Sequence, residues 1–240
     1  MSHPSESEVP AAPKSRFGPM LEGNQALDLD GLRAATVLFA AEVSAAEIPE
    51  LYGKNDGKAV GTWVEKAFNL YLGDRYDYAP GNAASGIDFP DLNVDLKATS
   101  ITQPQSSCPF RDASQKVYGL GYHLLVFVYE KSDDVATQCA ALKLRHVLFI
   151  DQSKTGDFQT TRGILQILAN DGNADDLVAY MEDRNLPVDE VGRAALAGRI
   201  LDEPPEQGFI TISNALQWRL QYGHAIKNAD TAEGIDDLLT

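Results

Sequence analysis

The chain has 240 residues, an apolar share of 44% and a formal net charge of −15. That length fits one domain, alone or with a decorating subdomain. The charge excludes a general basic nucleic-acid coat, but it allows a cleft in which lysines and arginines gather and a divalent cation offsets carboxylates.

Met1 to about Asp28 is rich in proline, serine and charge and has no periodicity, so a loosely packed or disordered N-terminal arm is expected over 1–28. It contains no apolar segment of signal-peptide type, and no run in the chain is long and apolar enough to span a membrane. A cytoplasmic protein with no membrane partner is the expectation. A single domain is expected over 29–226, beginning with a helix from Leu29 to Ala46 that Asp30 can cap. A short helix over Ala45 to Leu51, ended by Gly53, would follow.

Gly57 to Gly73 carries the clearest helical pattern, with Val60, Val64, Ala67, Phe68, Tyr71 and Leu72 on one stripe. Glu65 lies at its edge, about 20° from Leu72 at about 100° per residue. Taken alone, Glu65 reads as an ordinary solvated helix glutamate.

After a turn-rich stretch comes Gly86-Ile87-Asp88-Phe89-Pro90-Asp91-Leu92-Asn93-Val94-Asp95-Leu96-Lys97-Ala98-Thr99. As a strand, its end places Asn93, Asp95, Lys97 and Thr99 on one face and Val94, Leu96 and Ala98 on the other. Asp95 and Lys97 are then about 6.6 Å apart. A loop over Ser100 to Ser107 and a short helix over Asp112 to Tyr118 follow. His123 to Glu130 and Leu142 to Ile150 read as strands buried on both faces. Helices are expected over 160–169, 174–184 and 188–201, forming a helical insertion around 158–203. A strand over Gln207 to Ser213, a polar amphipathic helix over Asn214 to Ile226 and a frayed acidic tail over 227–240 complete the chain.

The chemistry concentrates at Asp88, Asp95 and Lys97. Phosphodiester hydrolysis needs an activated water, shielding of the phosphate's charge and help for the leaving oxygen. Carboxylates are hard oxygen ligands suited to Mg²⁺. Asp88 and Asp95 would hold the cation, Lys97 would stand beside the attacking water, and Glu65 would bind a second metal or orient a water. The acid, acid-x-Lys pattern alone is equally an amphipathic edge strand with a surface ion pair. Cys108 and Cys139, the only two cysteines, make neither a disulfide framework nor a zinc quartet. His3, His123, His146 and His224 are too dispersed for a metal motif.

In their order along the chain, the Glu65 helix, the acid–acid–lysine strand and the two buried strands resemble the PD-(D/E)xK nuclease superfamily, to which most type II restriction endonucleases belong. Asp91 follows Pro90 and supplies the spelled "PD". It leaves three residues before Asp95, however, so Asp88 is taken as the first acid, with Asp91 as the alternative. The stretch Asn55 to Glu65, with its two glycines and closing glutamate, is similar to the corresponding helix of the mismatch-repair nickase MutH and related restriction enzymes. Asp88 and Asp95-Leu96-Lys97 match the same group, and Gly208-Phe209-Ile210 is a weaker similarity.

The resemblance implies an α/β, restriction-endonuclease-like core with a central mixed β-sheet flanked by helices. It implies a Mg²⁺-dependent type II restriction enzyme that cuts double-stranded DNA. A homodimer matched to a two-fold DNA site, and a cognate methyltransferase acting on that site, would go with it. Candidate DNA contacts are Lys58, Thr99, Ser100, Gln103, Gln105, Arg111, Asn214, Gln217 and Arg219, because Asn, Gln and Arg can read base edges through paired hydrogen bonds. Each is also an ordinary surface residue. The rival functions are a MutH-like nicking enzyme and a non-catalytic acidic DNA mimic or binding protein.

Overall fold

The computed structural model describes residues 25–79, 81, 86–108, 112–213 and 218–240. Most of the proposed N-terminal arm lies outside these residues. Its end, β1 (Gln25–Ala26), pairs in parallel with β3 (Tyr76–Asp77).

Helix α1 (Leu29–Ala45) starts at the expected Leu29, but its cap lies two residues before the expected one: Asp28 rather than Asp30 accepts from the Gly31 amide at 2.7 Å. Its buried face is Leu32, Ala35, Thr36, Phe39, Ala40 and Val43. The short helix expected next is instead β2 (Glu47–Ile48) followed by a 3₁₀ turn over Pro49–Leu51. Pro49 cannot donate to a helix ladder, and Glu47 and Ile48 find their partners in a neighbouring strand. Helix α2 (Gly57–Gly73) buries all of the predicted stripe, and the Asp56 carboxylate caps its start.

The central sheet is built from β4 (Val94–Ser100), β6 (His123–Asp134), β7 (Cys139–Ile150) and β10 (Ile235–Asp237). The strand order is β10-β7-β6-β4, and β2 also pairs with β7. β4 runs parallel to β6, while β6 and β7 form an antiparallel hairpin, so the sheet is mixed as expected. α1 and α2 cover one face. Phe39, Phe68, Tyr71 and Phe127 pack there edge to face or tilted, with Phe39 and Phe68 at 5.0 Å between ring centroids. Leu125, Phe127 and Tyr129 point into this core, while Leu124, Val126 and Val128 point into a second core on the other face. That is why the β6 sequence shows no alternation.

The second face is covered by a small antiparallel sheet of β5 (Gln105–Ser107), β8 (Thr211–Ile212) and β9 (Arg219–Gln221), in the order β5-β9-β8. A third cluster joins α3 (Ser114–Tyr118) to α4 (Phe158–Ala169), α5 (Ala174–Asp183) and α6 (Glu190–Asp202) around Val117, Ile164, Leu177, Met181 and Ile200.

Two C-terminal expectations are corrected. Arg219–Gln221 is a strand, not part of a helix; Leu220 and Tyr222 alternate with polar neighbours and point into the second core. Among the described residues of that region, only α7 (Gly223–Asn228) is helical. The acidic tail is not frayed: β10 pairs with β7, and Ile235 is fully buried. The Asp237 carboxylate accepts from the Val147 amide at 3.0 Å and lies 2.7 Å from His146 Nδ1. Buried Ile235, Leu238 against the first core, the Asp237 carboxylate and the Arg33–Asp236 ion pair hold an otherwise polar segment. No helix among the described residues is long and apolar enough to cross a membrane.

Candidate active site

The approach to β4 is a tight reversal. Phe89 and Val94 form an antiparallel bridge across the 3₁₀ turn Pro90–Leu92 and Asn93. Asn93 takes a left-handed conformation (φ 54°), which asparagine tolerates better than most residues. Its side-chain amide donates to the Gly121 carbonyl at 3.0 Å and to Gln152 Oε1 at 2.9 Å, fixing the entry into β4. The reversal spans Pro90 to Asn93, so the acid just before the bridge, Asp88, returns beside the strand. Asp91 sits exposed on the turn.

Asp88 Oδ2 accepts a hydrogen bond from the Leu96 amide at 2.8 Å. Asp95, on the strand face opposite Val94 and Leu96, is 3% exposed. Its Oδ2 lies 2.6 Å from Lys97 Nζ, a close ion pair, and the Asp88 side chain meets the same carboxyl. Burial raises the Asp95 carboxyl from its ordinary value of 3.8 to about 7; the Lys97 ammonium opposes the rise and the Asp88 carboxyl adds to it.

Glu65 reaches the same place from α2. Its carboxyl is held above its ordinary value by partial desolvation and by Asp88, with Lys97 and Lys66 opposing. Side chains from the helix and from both arms of the reversal thus share one electrostatic environment. Among the described residues, however, no three His, Cys, Asp or Glu side chains gather closely enough to form a metal-binding group. Glu65 stands near the Asp88–Asp95 pair without completing a cage.

The residue types nevertheless fit a divalent cation. Two carboxylates face each other, one of them buried, with a lysine beside them. A cation would relieve their mutual repulsion.

The expected DNA contacts fall into distinct places. Lys58 is exposed in the first turn of α2, on the same helical face as Thr62 and Glu65. Thr99 is 4% exposed, and its hydroxyl donates to the carbonyls of Gln103 and Gln105 and accepts from the Gln105 amide. It is thereby an internal clamp on the loop, not a side chain available to a ligand. The Ser100 hydroxyl meets Thr102 Oγ1 at 2.9 Å. Gln103 is exposed, and Gln105 begins β5. Arg219 lies in β9, where it pairs with Ser107, so two regions far apart in sequence form one surface. Arg111, Asn214 and Gln217 lie outside the described residues.

Tyr222 was not among the expected site residues. It is fully buried beneath the small sheet, with its hydroxyl 2.5 Å from Ser106 Oγ. Only the alternation Arg219-Leu220-Gln221-Tyr222 signalled that these residues form a strand with one buried face.

Comparisons with known proteins give the family of the chain. The family model described as "Type II restriction enzyme NspV" matches residues 26–237. A curated relative of that description from Nostoc sp. is 56% identical over 209 residues, covering 87% of this chain and 95% of the relative. No solved structure matches. The matched span includes β4, α2 and the small sheet, and the chain belongs to the NspV family of type II restriction enzymes.

Proposed function

We propose that this restriction endonuclease hydrolyses both strands of a short duplex DNA sequence at Asp88, Asp95 and Lys97, with Mg²⁺ as the bound cation. The observation that carries this reading is the buried Asp95 carboxyl, 3% exposed, flanked by a second carboxylate and by a lysine whose Nζ lies 2.6 Å away. When bound, the cation supplies positive charge that stabilises the phosphorane-like transition state and makes an attacking water more acidic.

The protein's own groups do the positioning. The Leu96 amide fixes Asp88, leaving its other oxygen to face Asp95. Buried in the sheet, Asp95 holds its carboxylate in one orientation. Lys97, only partly exposed, points its ammonium at the same spot. There it orients the attacking water and offsets charge developing on the scissile phosphate. Glu65 offers an acceptor at the rim, where a water can be held by hydrogen bonding.

A two-fold DNA site would be matched by a homodimer, each copy placing one such centre on one strand. The host genome would then need a methyltransferase modifying the same sequence. The family assignment favours this reading over a mismatch-repair nickase and over a non-catalytic acidic binding protein.

The test is incubation of the purified protein with supercoiled plasmid and Mg²⁺, followed by sequencing of the ends. Linear product with a constant end sequence is the expected result. Persistent open circles would indicate nicking, and intact plasmid would remove the proposed site.

A further inference from the structure

The small sheet has an inner and an outer face. Ser106, Leu220 and Ile212 point inward, where Leu220 and Ile212 are buried in the second core and Ser106 meets Tyr222. Strand alternation sends the remaining residues outward. Their register forms two rows across the three strands. Gln105 pairs with Gln221, which pairs with Thr211. Ser107 pairs with Arg219, whose carbonyl accepts from the Ser213 amide.

Every side chain in both rows is a hydrogen-bonding group, and none is a carboxylate. In a chain with 35 acidic residues against 20 basic ones, such a face is unusual. The first row is also uncommitted: the side chains of Gln105, Gln221 and Thr211 make no hydrogen bond within the described residues, and Gln221 is exposed. Cross-strand neighbours lie about 5 Å apart, so these groups form a compact array.

The array is tied to the active site. Thr99 hydrogen-bonds both the amide and the carbonyl of Gln105, at 2.9 and 3.0 Å. Thr99 is two strand residues beyond Lys97. The first row therefore begins about 10 Å from the lysine, or about three base-pair steps. Pro104 is held from the other side by the Tyr222 amide at 2.9 Å. The loop between β4 and β5 is fixed at both ends, so the array cannot drift relative to the cleavage centre.

We propose that the outer face of the β5-β9-β8 sheet reads base edges in the DNA major groove, with Gln105 and Gln221 as its central specificity residues. The major groove admits a two-stranded β-ribbon, here β5 with β9, and a glutamine amide can donate to and accept from one base at once. The Arg219 row lies alongside, towards the phosphates or a neighbouring base pair. This rests on the nuclease reading above and adds the surface that selects the sequence.

The test digests a randomised duplex library with wild type, Gln221→Leu and Gln105→Leu, and sequences the cut ends. Wild type should give one consensus. Each variant should lose preference at one base pair, with discrimination there falling about 10- to 100-fold.

If a variant does not cut, cognate and scrambled duplexes are compared by binding in Ca²⁺, using Lys97→Ala protein with and without the glutamine change. An affinity ratio reduced about tenfold or more supports the proposal. An unchanged consensus, or an unchanged ratio in the binding arm, overturns it and leaves the nuclease reading intact. Failure of wild type to cut any library member would instead refute the nuclease reading.

Discussion

The Asp88 carboxylate accepts from the Leu96 amide, one residue from each of its proposed partners Asp95 and Lys97. A free amide on the exposed edge of β4 is thus satisfied by the side chain that faces the buried acid. One hydrogen bond closes the edge of the sheet and sets the spacing of the two carboxylates.

Asp88→Asn should keep that hydrogen bond, because an amide oxygen can replace the carboxylate oxygen as acceptor. It removes a negative charge from the proposed cation site. Cleavage should fall about 100-fold or more, with the melting temperature little changed. Asp91→Asn, on the exposed turn, should stay within about threefold of wild type. Single-turnover cleavage and a thermal melt of each variant check both statements.

In the metal-free protein, the Asp95 contribution to stability should fall as pH rises. The folded-state pKa of Asp95 lies above its ordinary value of 3.8, at about 7. An acid with a raised folded pKa favours the folded state when protonated. Its contribution is therefore most favourable below about pH 4, declines between pH 4 and 7, and remains unfavourable above that. Asp95→Asn removes this dependence. In EDTA, the variant should melt several degrees above wild type at pH 8 and show a smaller difference at pH 5. A difference independent of pH would contradict the assignment.

The C-terminal strand should matter more than its composition suggests. Asp237→Ala removes the acceptor of the buried Val147 amide and the partner of His146. An unsatisfied buried amide costs about 1–3 kcal/mol. The melting temperature should drop by about 2–12 °C in a chain of this size. An unchanged melt would mean that β10 contributes little to the sheet.

Thr99→Val should loosen the β4–β5 loop by removing its clamp on Gln105 while keeping the side-chain volume. Cleavage at limiting DNA should fall about tenfold, and Thr99→Ser should restore most of it. Equal losses in both variants would point to packing rather than the hydroxyl.

Much of the site was legible because its signals are local. The α2 stripe repeats with helical period, and β4 alternates with the period of a strand. The distance from Asp91 to Asp95 was too short for a reversal, which favoured Asp88 from spacing alone. Other features depend on distant partners. Nothing near Ser107 indicates Arg219 beside it, and the single buried Ile235 carries no periodic signal in an acidic segment. Thr99 looked like an exposed contact because alternation gives a side chain's face but not what covers it. The loop that folds back over it is specified by Gln103 and Gln105 backbone groups, which sequence patterns do not distinguish.

Lys97→Ala tests the central assignment most directly, measured as single-turnover cleavage of saturating cognate duplex with Mg²⁺ and, in parallel, as duplex affinity with Ca²⁺. Cleavage should fall about 100-fold or more while affinity stays within a few-fold, because the role proposed for Lys97 is at the reacting phosphate. Cleavage within threefold of wild type would show that the chemistry takes place elsewhere.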